Sequence, residues 1–146
     1  MKDSIITSIN NPIDEARRYV ANARDVLRAN GKLNPETWLY ENPKYVNAAG
    51  HYLWSGALIS LESVFHVKHN KKKRKGDNAR VDIDDYIAAI SKRDQKLLNM
   101  VVNAYHIAHL YMGYDGIQSK ATCDEGFRIV NEIINRCEKM TPSIAA

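Results

Sequence analysis

The segment KYVNAAGHYLWSGALISLESVFHVKH, residues 44 to 69, decides the fold. Its apolar residues recur at helical spacing without keeping to one stripe, because Val46, Leu53 and Leu61 mark one face and Tyr52 widens it. A helix that is apolar on most of its sides is typically surrounded by other helices. The segment therefore predicts a long central helix over residues 44–69.

Small residues lie on both sides of Trp54 in this segment. Two of them are glycines, and each glycine costs up to about 1 kcal/mol relative to alanine inside a helix. Close packing of neighbouring helices, or a kink, explains why such residues stand there. The small residues in question are Ala48, Ala49, Gly50, Ser55, Gly56 and Ala57.

Three Asn-Pro pairs, at 11–12, 34–35 and 42–43, punctuate the first third of the chain. Asparagine is a favoured N-cap and proline is favoured at the first helical position, so each pair can open a helix. An amphipathic helix is predicted from Pro12 to Asn30, with Gly31 in the left-handed conformation at its end. Residues 35–40 have room for one or two helical turns before the chain restarts at the third pair.

The second half of the chain reads as further helices. Three aspartates, at positions 82, 84 and 85, favour a short helix, and the apolar pattern breaks over residues 91–94 before a long helix to Gly113. Thr122 and Glu125 match a capping box at the start of the last helix. With no strand-period alternation in the sequence, we expect an all-α fold: an up-and-down bundle of four long helices plus a short fifth helix.

Length and composition fit one soluble domain, taken as residues 1–146. The chain has 146 residues, of which 45% are hydrophobic and 26% charged. A chain of this size buries roughly 70% of its surface without disulfides. Cys123 and Cys137 lie 14 residues apart in one predicted helix, too far apart to pair. We expect no membrane span and, because the first residues lack a signal-peptide pattern, a cytoplasmic location.

The basic character of the chain comes from one stretch. The formal net charge is +4, and removing the six basic residues between positions 68 and 75 changes it to −2. Two interpretations stand for the predicted loop over residues 68–78: non-specific contact with nucleic-acid phosphates, or a solvated loop after a helix end. The residues that would carry phosphate contact are Lys71, Lys72, Lys73, Arg74 and Lys75.

A candidate ligand pocket combines side chains of the central helix with those of the next long helix. Histidines at spacing three share a helix face, yet in such a pair one ring typically packs or caps while the other meets solvent. For His51 and Trp54 on the central helix, the alternative to a ligand site is a hydrogen-bonded pair in the core. The candidate pocket residues are His51, Trp54, Tyr105, His106, His109 and Tyr114.

The sequence contains none of the catalytic or metal-binding motifs considered below. Di-metal carboxylate bundles use Glu-x-x-His motifs, and the chain contains none. Neither cysteine has a histidine near it in sequence, and there is no glycine-rich phosphate loop and no Gly-x-Ser-x-Gly turn. We therefore predict no catalytic residues, no metal and no cofactor.

Two short motifs carry a family resemblance. Ala49-Gly50-His51 with Trp54-x-Gly56, and the stretch 104–116, resemble a group of small uncharacterised bacterial proteins similar to HEPN bundles (higher eukaryotes and prokaryotes nucleotide-binding). The resemblance covers roughly residues 12–140. It implies a helical bundle, a homodimer and a nucleotide or nucleic-acid partner. Many HEPN proteins are ribonucleases with an Arg-x4-6-His motif, which none of the nine arginines of this chain provides.

These observations leave three hypotheses. The first is a non-catalytic interaction or regulatory module, a cytoplasmic bacterial homodimer. The second is a nucleic-acid-binding protein or degraded HEPN-type RNase that acts through the basic loop. The third is a small-ligand or metal pocket around His51, Trp54, Tyr105, His106 and His109.

Overall fold

A computed structural model describes residues 11–66 and 82–141, and this part of the chain is mostly helical, as an all-α fold requires. The predicted basic loop, residues 68–78, lies outside the described residues. The elements are α1 (Pro12–Asn30), β1 (Leu33–Asn34), β2 (Leu39–Tyr40), α2 (Pro43–Phe65), α3 (Ile83–Ile90), α4 (Gln95–Ala104), a π-helical segment (Tyr105–Tyr114) and α5 (Lys120–Met140).

Helix α2 is the central helix, as its sequence predicts. It packs against α1, α5 and the π-helical segment, and it buries side chains on several sides, among them Val46, Trp54 and Leu61. It ends at Phe65 rather than at position 69, the predicted end. The reason is His66, which takes a left-handed φ of 51° while its backbone N–H donates to the Glu62 carbonyl.

Helix α1 has the predicted bounds, and its start is capped as expected. The Asn11 side chain accepts hydrogen bonds from the backbone N–H groups of Ile13 (3.1 Å) and Asp14 (3.2 Å). The expected left-handed Gly31 is wrong, because its φ is −68° and the next residue, Lys32, takes the left-handed step. Gly31 is needed for space instead, since a Cβ there would lie 2.6 Å from the Leu27 carbonyl oxygen.

Residues 35–40, predicted as helical turns, belong to a small antiparallel hairpin. Leu33 pairs with Tyr40 and Asn34 pairs with Leu39. The Asn34 side chain accepts from the backbone of Glu36 (2.9 Å) and of Thr37 (3.3 Å). This asparagine therefore organises a tight turn, a role that competes with helix capping for the same residue type.

The break predicted over residues 91–94 is confirmed by the gap between α3 and α4. Asp82 and Asp85 form a capping box at the start of α3. Asp94 caps α4 by accepting from the backbone N–H of Leu97 at 3.0 Å. The aspartates of this region thus begin helices, as their charge and position indicate.

The helix predicted to run to Gly113 changes its winding at Tyr105. From there to Tyr114 the chain is π-helical, and the N–H of Asp115 donates to the Leu110 carbonyl five residues earlier at 2.9 Å. The Asn47 side chain of α2 donates to the carbonyls of Met112 (2.9 Å) and Gly113 (3.0 Å). Contacts with α2 thus satisfy carbonyl groups at the end of this segment.

Helix α5 begins earlier than the capping box of the sequence predicts. Its N-cap is Ser119, whose hydroxyl accepts from the backbone N–H of Thr122 at 3.2 Å, so Thr122 lies inside the helix. Ser119 also forms a bridge with Leu39 of the hairpin. Cys123 and Cys137 are both free and buried.

Within the described ranges, none of the helices combines the length and apolarity that crossing a membrane requires.

Candidate functional site

Five of the six predicted pocket residues meet in one network of rings. Trp54 of α2 stacks on His109 at 5.4 Å and 26°, and it meets Tyr105 edge-on at 5.7 Å. Tyr105 also contacts both histidines of the π-helical segment. We call the following residues the aromatic–histidine cluster: Trp54, Tyr105, His106, His109 and Tyr114.

His51, the sixth predicted residue, stands at the margin of this cluster. It is exposed, and its ring lies beside Gly113, where an added Cβ would be 3.7 Å from two of its ring atoms. The stacking partner of Trp54 is therefore His109 and not His51. The alternative of a hydrogen-bonded core pair between His51 and Trp54 is therefore wrong, because the His51 side chain is exposed whereas Trp54 is buried.

The cluster runs from the core to the surface. Trp54 is only 8% exposed, whereas Tyr114 is 69% exposed and touches His109 edge-on at 5.3 Å. His106 is exposed and His109 is half-buried. One histidine of the pair packs and the other meets solvent, as predicted.

The electrostatics of His109 favour packing over proton transfer. Its Nδ1 atom is buried and has no hydrogen-bond partner in the described part of the chain. Burial, and secondarily the charge of His51, hold the pKa of His109 below its usual value of 6.5. The ring is therefore neutral at neutral pH and stacks as an uncharged aromatic group.

Metal binding finds no support among the residues described. No three side chains of the His, Cys, Asp and Glu types come together there in a way that would hold an ion. Burial raises the pKa of Cys123 to about 12 and that of Cys137 to about 11, so both thiols are protonated at neutral pH. A protonated, buried thiol is a core group and not a nucleophile.

Four large apolar side chains are exposed in the described part of the chain: Trp38 (58%), Leu39 (43%), Tyr111 (43%) and Tyr114 (69%). The first two lie in the hairpin and the other two in the π-helical segment. Both elements form backbone contacts with the segment that precedes α5. Leu39 forms a β-bridge with Ser119, and the Tyr111 carbonyl accepts from the Ile117 N–H at 2.9 Å. We call these four residues the exposed apolar end.

A cavity of about 540 Å³ opens between α1, the hairpin and α5. Its sequence signal is faint. Arg24 and Arg28 lie four residues apart on α1, so their like charges share one helix face. Such a pair weakens an isolated helix, which favours a role in binding an anion over a role in helix stability. We call the cavity the basic pocket, and its lining residues are Arg24, Leu27, Arg28, Leu33, Tyr40, Lys120, Asp124, Phe127, Arg128 and Asn131.

The class that these features define is an all-α protein with an aromatic–histidine cluster and a basic pocket. The chain belongs to the family described as "Domain of unknown function (DUF5618)", which it matches over residues 11–139. It is similar to a solved structure, a protein of unknown function from Dyadobacter fermentans, with 33% sequence identity and a TM-score of 0.75. That similarity covers 88% of this chain and 93% of the other. No curated protein matches the chain.

Proposed function

We propose that the chain is a non-catalytic interaction or regulatory module, a cytoplasmic bacterial homodimer whose partner surface is the exposed apolar end. The observation that carries the proposal is where the exposed apolar side chains lie. In the described residues, the four large ones belong to two elements, the hairpin and the π-helical segment, and both elements form backbone hydrogen bonds with residues 117–120. Large exposed apolar side chains on neighbouring elements are typical of interaction surfaces, and aromatic residues are enriched in the centre of such surfaces.

The aromatic–histidine cluster holds Tyr114, one residue of the exposed apolar end, in place. Tyr114 rests edge-on against His109, which in turn is stacked on the buried Trp54. Aromatic side chains that are already held in place lose little conformational entropy when a partner binds. The cluster therefore serves recognition, with Tyr114 as the residue that a partner would cover.

The fold belongs to the same proposal. We assign α1, α2, α4 with the π-helical segment, and α5 as the four long members of an up-and-down bundle in a single domain, residues 1–146, with α3 as the short fifth helix. The packing of α2 against α1, α5 and the π-helical segment supports this assignment. The bundle would be HEPN-like, and HEPN bundles dimerise, which favours a second copy of the chain as the partner.

Size-exclusion chromatography with light scattering tests the proposal. The wild-type chain should elute with twice its mass of 16.6 kDa, and the double variant Trp38→Ser, Tyr114→Ser with the mass of one chain. Lys96→Ser, an exposed position on α4, is the matched control and should leave the dimer intact. Circular dichroism should show that the double variant keeps its helices. A wild-type monomer at every concentration, or a double variant that still dimerises, contradicts the proposal.

The alternative function is nucleic-acid binding through the basic loop, or a degraded HEPN-type RNase acting there. Its support is the charge, because the net charge of +4 becomes −2 without the six basic residues between positions 68 and 75. A gel shift with mixed RNA and DNA tests it, since phosphate contacts by lysine and arginine dominate such binding. Affinity that survives neutral replacements at 71–75 would rule this loop out.

A further inference from the structure

We propose that the basic pocket binds a planar ring that carries a phosphate group. Its volume of about 540 Å³ lies in the range of small-molecule sites. The pocket combines an apolar floor with a cationic rim. The inference does not rest on the dimer proposed above, because the pocket lies between elements of one chain.

The floor of the pocket suits a flat apolar body. Leu27 and Tyr40 are buried, and Leu33 and Phe127 are half-buried beside them. Two of these four side chains are aromatic, and an aromatic ring packs well in offset or edge contact with such neighbours. A ring of one or two cycles is therefore the body that this floor favours.

The floor is held in place by hydrogen bonds between the hairpin and residues 118–120. The Tyr40 N–H donates to the Gln118 carbonyl, and the Gln118 side chain donates back to the Tyr40 carbonyl, each at 2.8 Å. The Lys120 N–H donates to the Trp38 carbonyl at 3.0 Å. The pocket is thus built before any ligand arrives, which reduces the entropic cost of binding.

The rim carries more positive charge than its carboxylates neutralise. Lys120 is paired with Asp124 at 2.5 Å, and Arg128 is paired with the glutamates at positions 125 and 132. Arg24 and Arg28 have no carboxylate partner among the residues described, and the Arg24 guanidinium lies 5.0 Å from the centre of the Phe127 ring. These two arginines, one helical turn apart, are the unneutralised cations of the rim.

Two neighbouring guanidinium groups favour a phosphate over a carboxylate. A phosphate monoester carries close to two negative charges at neutral pH and offers three oxygens to the planar donor forks of arginine. A carboxylate brings one charge and suits a single arginine. Aryl phosphates and nucleoside monophosphates share the required chemistry, and they differ in the size of the ring system.

Isothermal titration calorimetry with five probes tests the inference. Phenyl phosphate and adenosine monophosphate are the ligands, and phenol, adenosine and inorganic phosphate are the controls. We expect at least one ligand to bind about tenfold or more tightly than each of its own parts, since hydrogen bonds to charged groups and burial of a ring both contribute. The tighter of the two ligands identifies the ring size.

The double variant Arg24→Gln, Arg28→Gln should weaken that binding by about tenfold or more. Arg93→Gln is the matched control, because Arg93 lies 4.9 Å from the centre of the Phe65 ring in another part of the molecule, and it should bind as the wild type does. Asn131→Glu, which adds a carboxylate to the lining, should weaken binding without removing an arginine. The inference is overturned if neither ligand binds at millimolar concentration, if a control binds as tightly as its ligand, or if both pocket variants bind normally.

Discussion

The contact of α2 with the π-helical segment and the contact of α1 with the hairpin and α5 are built in opposite ways. The first is closed and uncharged: an added Cβ on Gly50 would lie 2.4 Å from the Gly113 nitrogen, and rings fill the space beside the two backbones. The second contains a cavity of about 540 Å³ with a cationic rim. The difference lies in the residues at the contact, glycine in one and long charged side chains in the other.

This comparison teaches how one helical protein separates stability from recognition. Where glycine lets two backbones touch, there is no room for a ligand and little tolerance for change. Where arginine and lysine line a contact, their apolar stems cover the surface and their charged ends stay in water. We therefore expect substitutions at the first contact to act through volume, and substitutions around α5 to act through charge.

The largest effect is expected for Gly50→Ala. The new Cβ would lie 2.4 Å from the Gly113 nitrogen and 2.5 Å from the Ala108 carbonyl oxygen, and backbone atoms cannot move aside as a flexible side chain does. We expect the free energy of unfolding in urea to fall by about 2–3 kcal/mol, the cost of overpacking a tight contact.

Gly56→Ala, on the same helix, is the matched control. Its Cβ would lie 3.0 Å from the Ala16 carbonyl oxygen, a smaller conflict that the better helix propensity of alanine offsets by up to about 1 kcal/mol. Its unfolding free energy should stay within about 1 kcal/mol of the wild type. If both variants lose the same stability, the contact at Gly50 is not special.

A smaller effect is expected for Asp94→Asn, at the contact of α4 with α5. Both Asp94 oxygens accept from Arg136, at 2.7 and 2.9 Å, and this pair holds the pKa of Asp94 below its usual value of 3.8. Because the pKa of Asp94 is lowered in the folded state, the contribution of this ion pair to stability is complete above pH 3.8 and is lost as the pH falls below that value. We expect a loss of about 1–2 kcal/mol at neutral pH, which shrinks in acid.

Glu138→Gln serves as the control for charge. Glu138 pairs with Arg17 at 2.9 Å, but both side chains are well exposed, so the change should stay within about 0.5 kcal/mol. Urea unfolding of both variants at neutral and acidic pH makes the comparison. An Asp94→Asn variant that keeps the wild-type acid dependence would contradict the assignment.

The smallest effect, a gain, is expected for His109→Phe in the aromatic–histidine cluster. The substitution keeps a ring against Trp54 and removes the buried Nδ1 atom without a partner, which should raise the unfolding free energy by up to about 1 kcal/mol. The pKa of His109 is lowered in the folded state, so its contribution is complete above 6.5 and is lost as the pH falls further. The variant should therefore lose less stability than the wild type between neutral and mildly acidic pH.

His106→Phe, at the exposed neighbour in the cluster, provides the comparison for this last variant. Because the His106 side chain is exposed, this substitution should change the free energy of unfolding at neutral pH by at most about 0.5 kcal/mol. Thermal unfolding followed by circular dichroism over that pH range measures both variants. Equal acid sensitivity in the wild type and in His109→Phe would mean that the buried ring is not the group that titrates.

What could be predicted from the sequence is what depends on neighbours along the chain. The bounds of α1, the central place of α2 and the break over residues 91–94 follow from helical periodicity and capping. The hairpin and the π-helical segment depend on partners far along the chain, such as Ser119 for Leu39 and Asn47 for the carbonyl of Gly113. Periodicity carries no information about such pairs.

The candidate site divides in the same manner. Helical spacing placed His106 and His109 on one helix with Tyr105, and these residues do gather with Trp54. Spacing did not show which histidine stacks on Trp54. It also missed the basic pocket, because Arg24 and Phe127 approach each other only after α1 and α5 have packed.

The two tryptophans lie in opposite surroundings, so their intrinsic fluorescence can be used to follow two different parts of the molecule. Trp38 is 58% exposed in the hairpin, and Trp54 is 8% exposed beneath the rings of the π-helical segment. A quencher dissolved in the buffer reaches the first indole and not the second. Light emitted by one tryptophan therefore reports events at the surface of the molecule, and light from the other reports the integrity of its core.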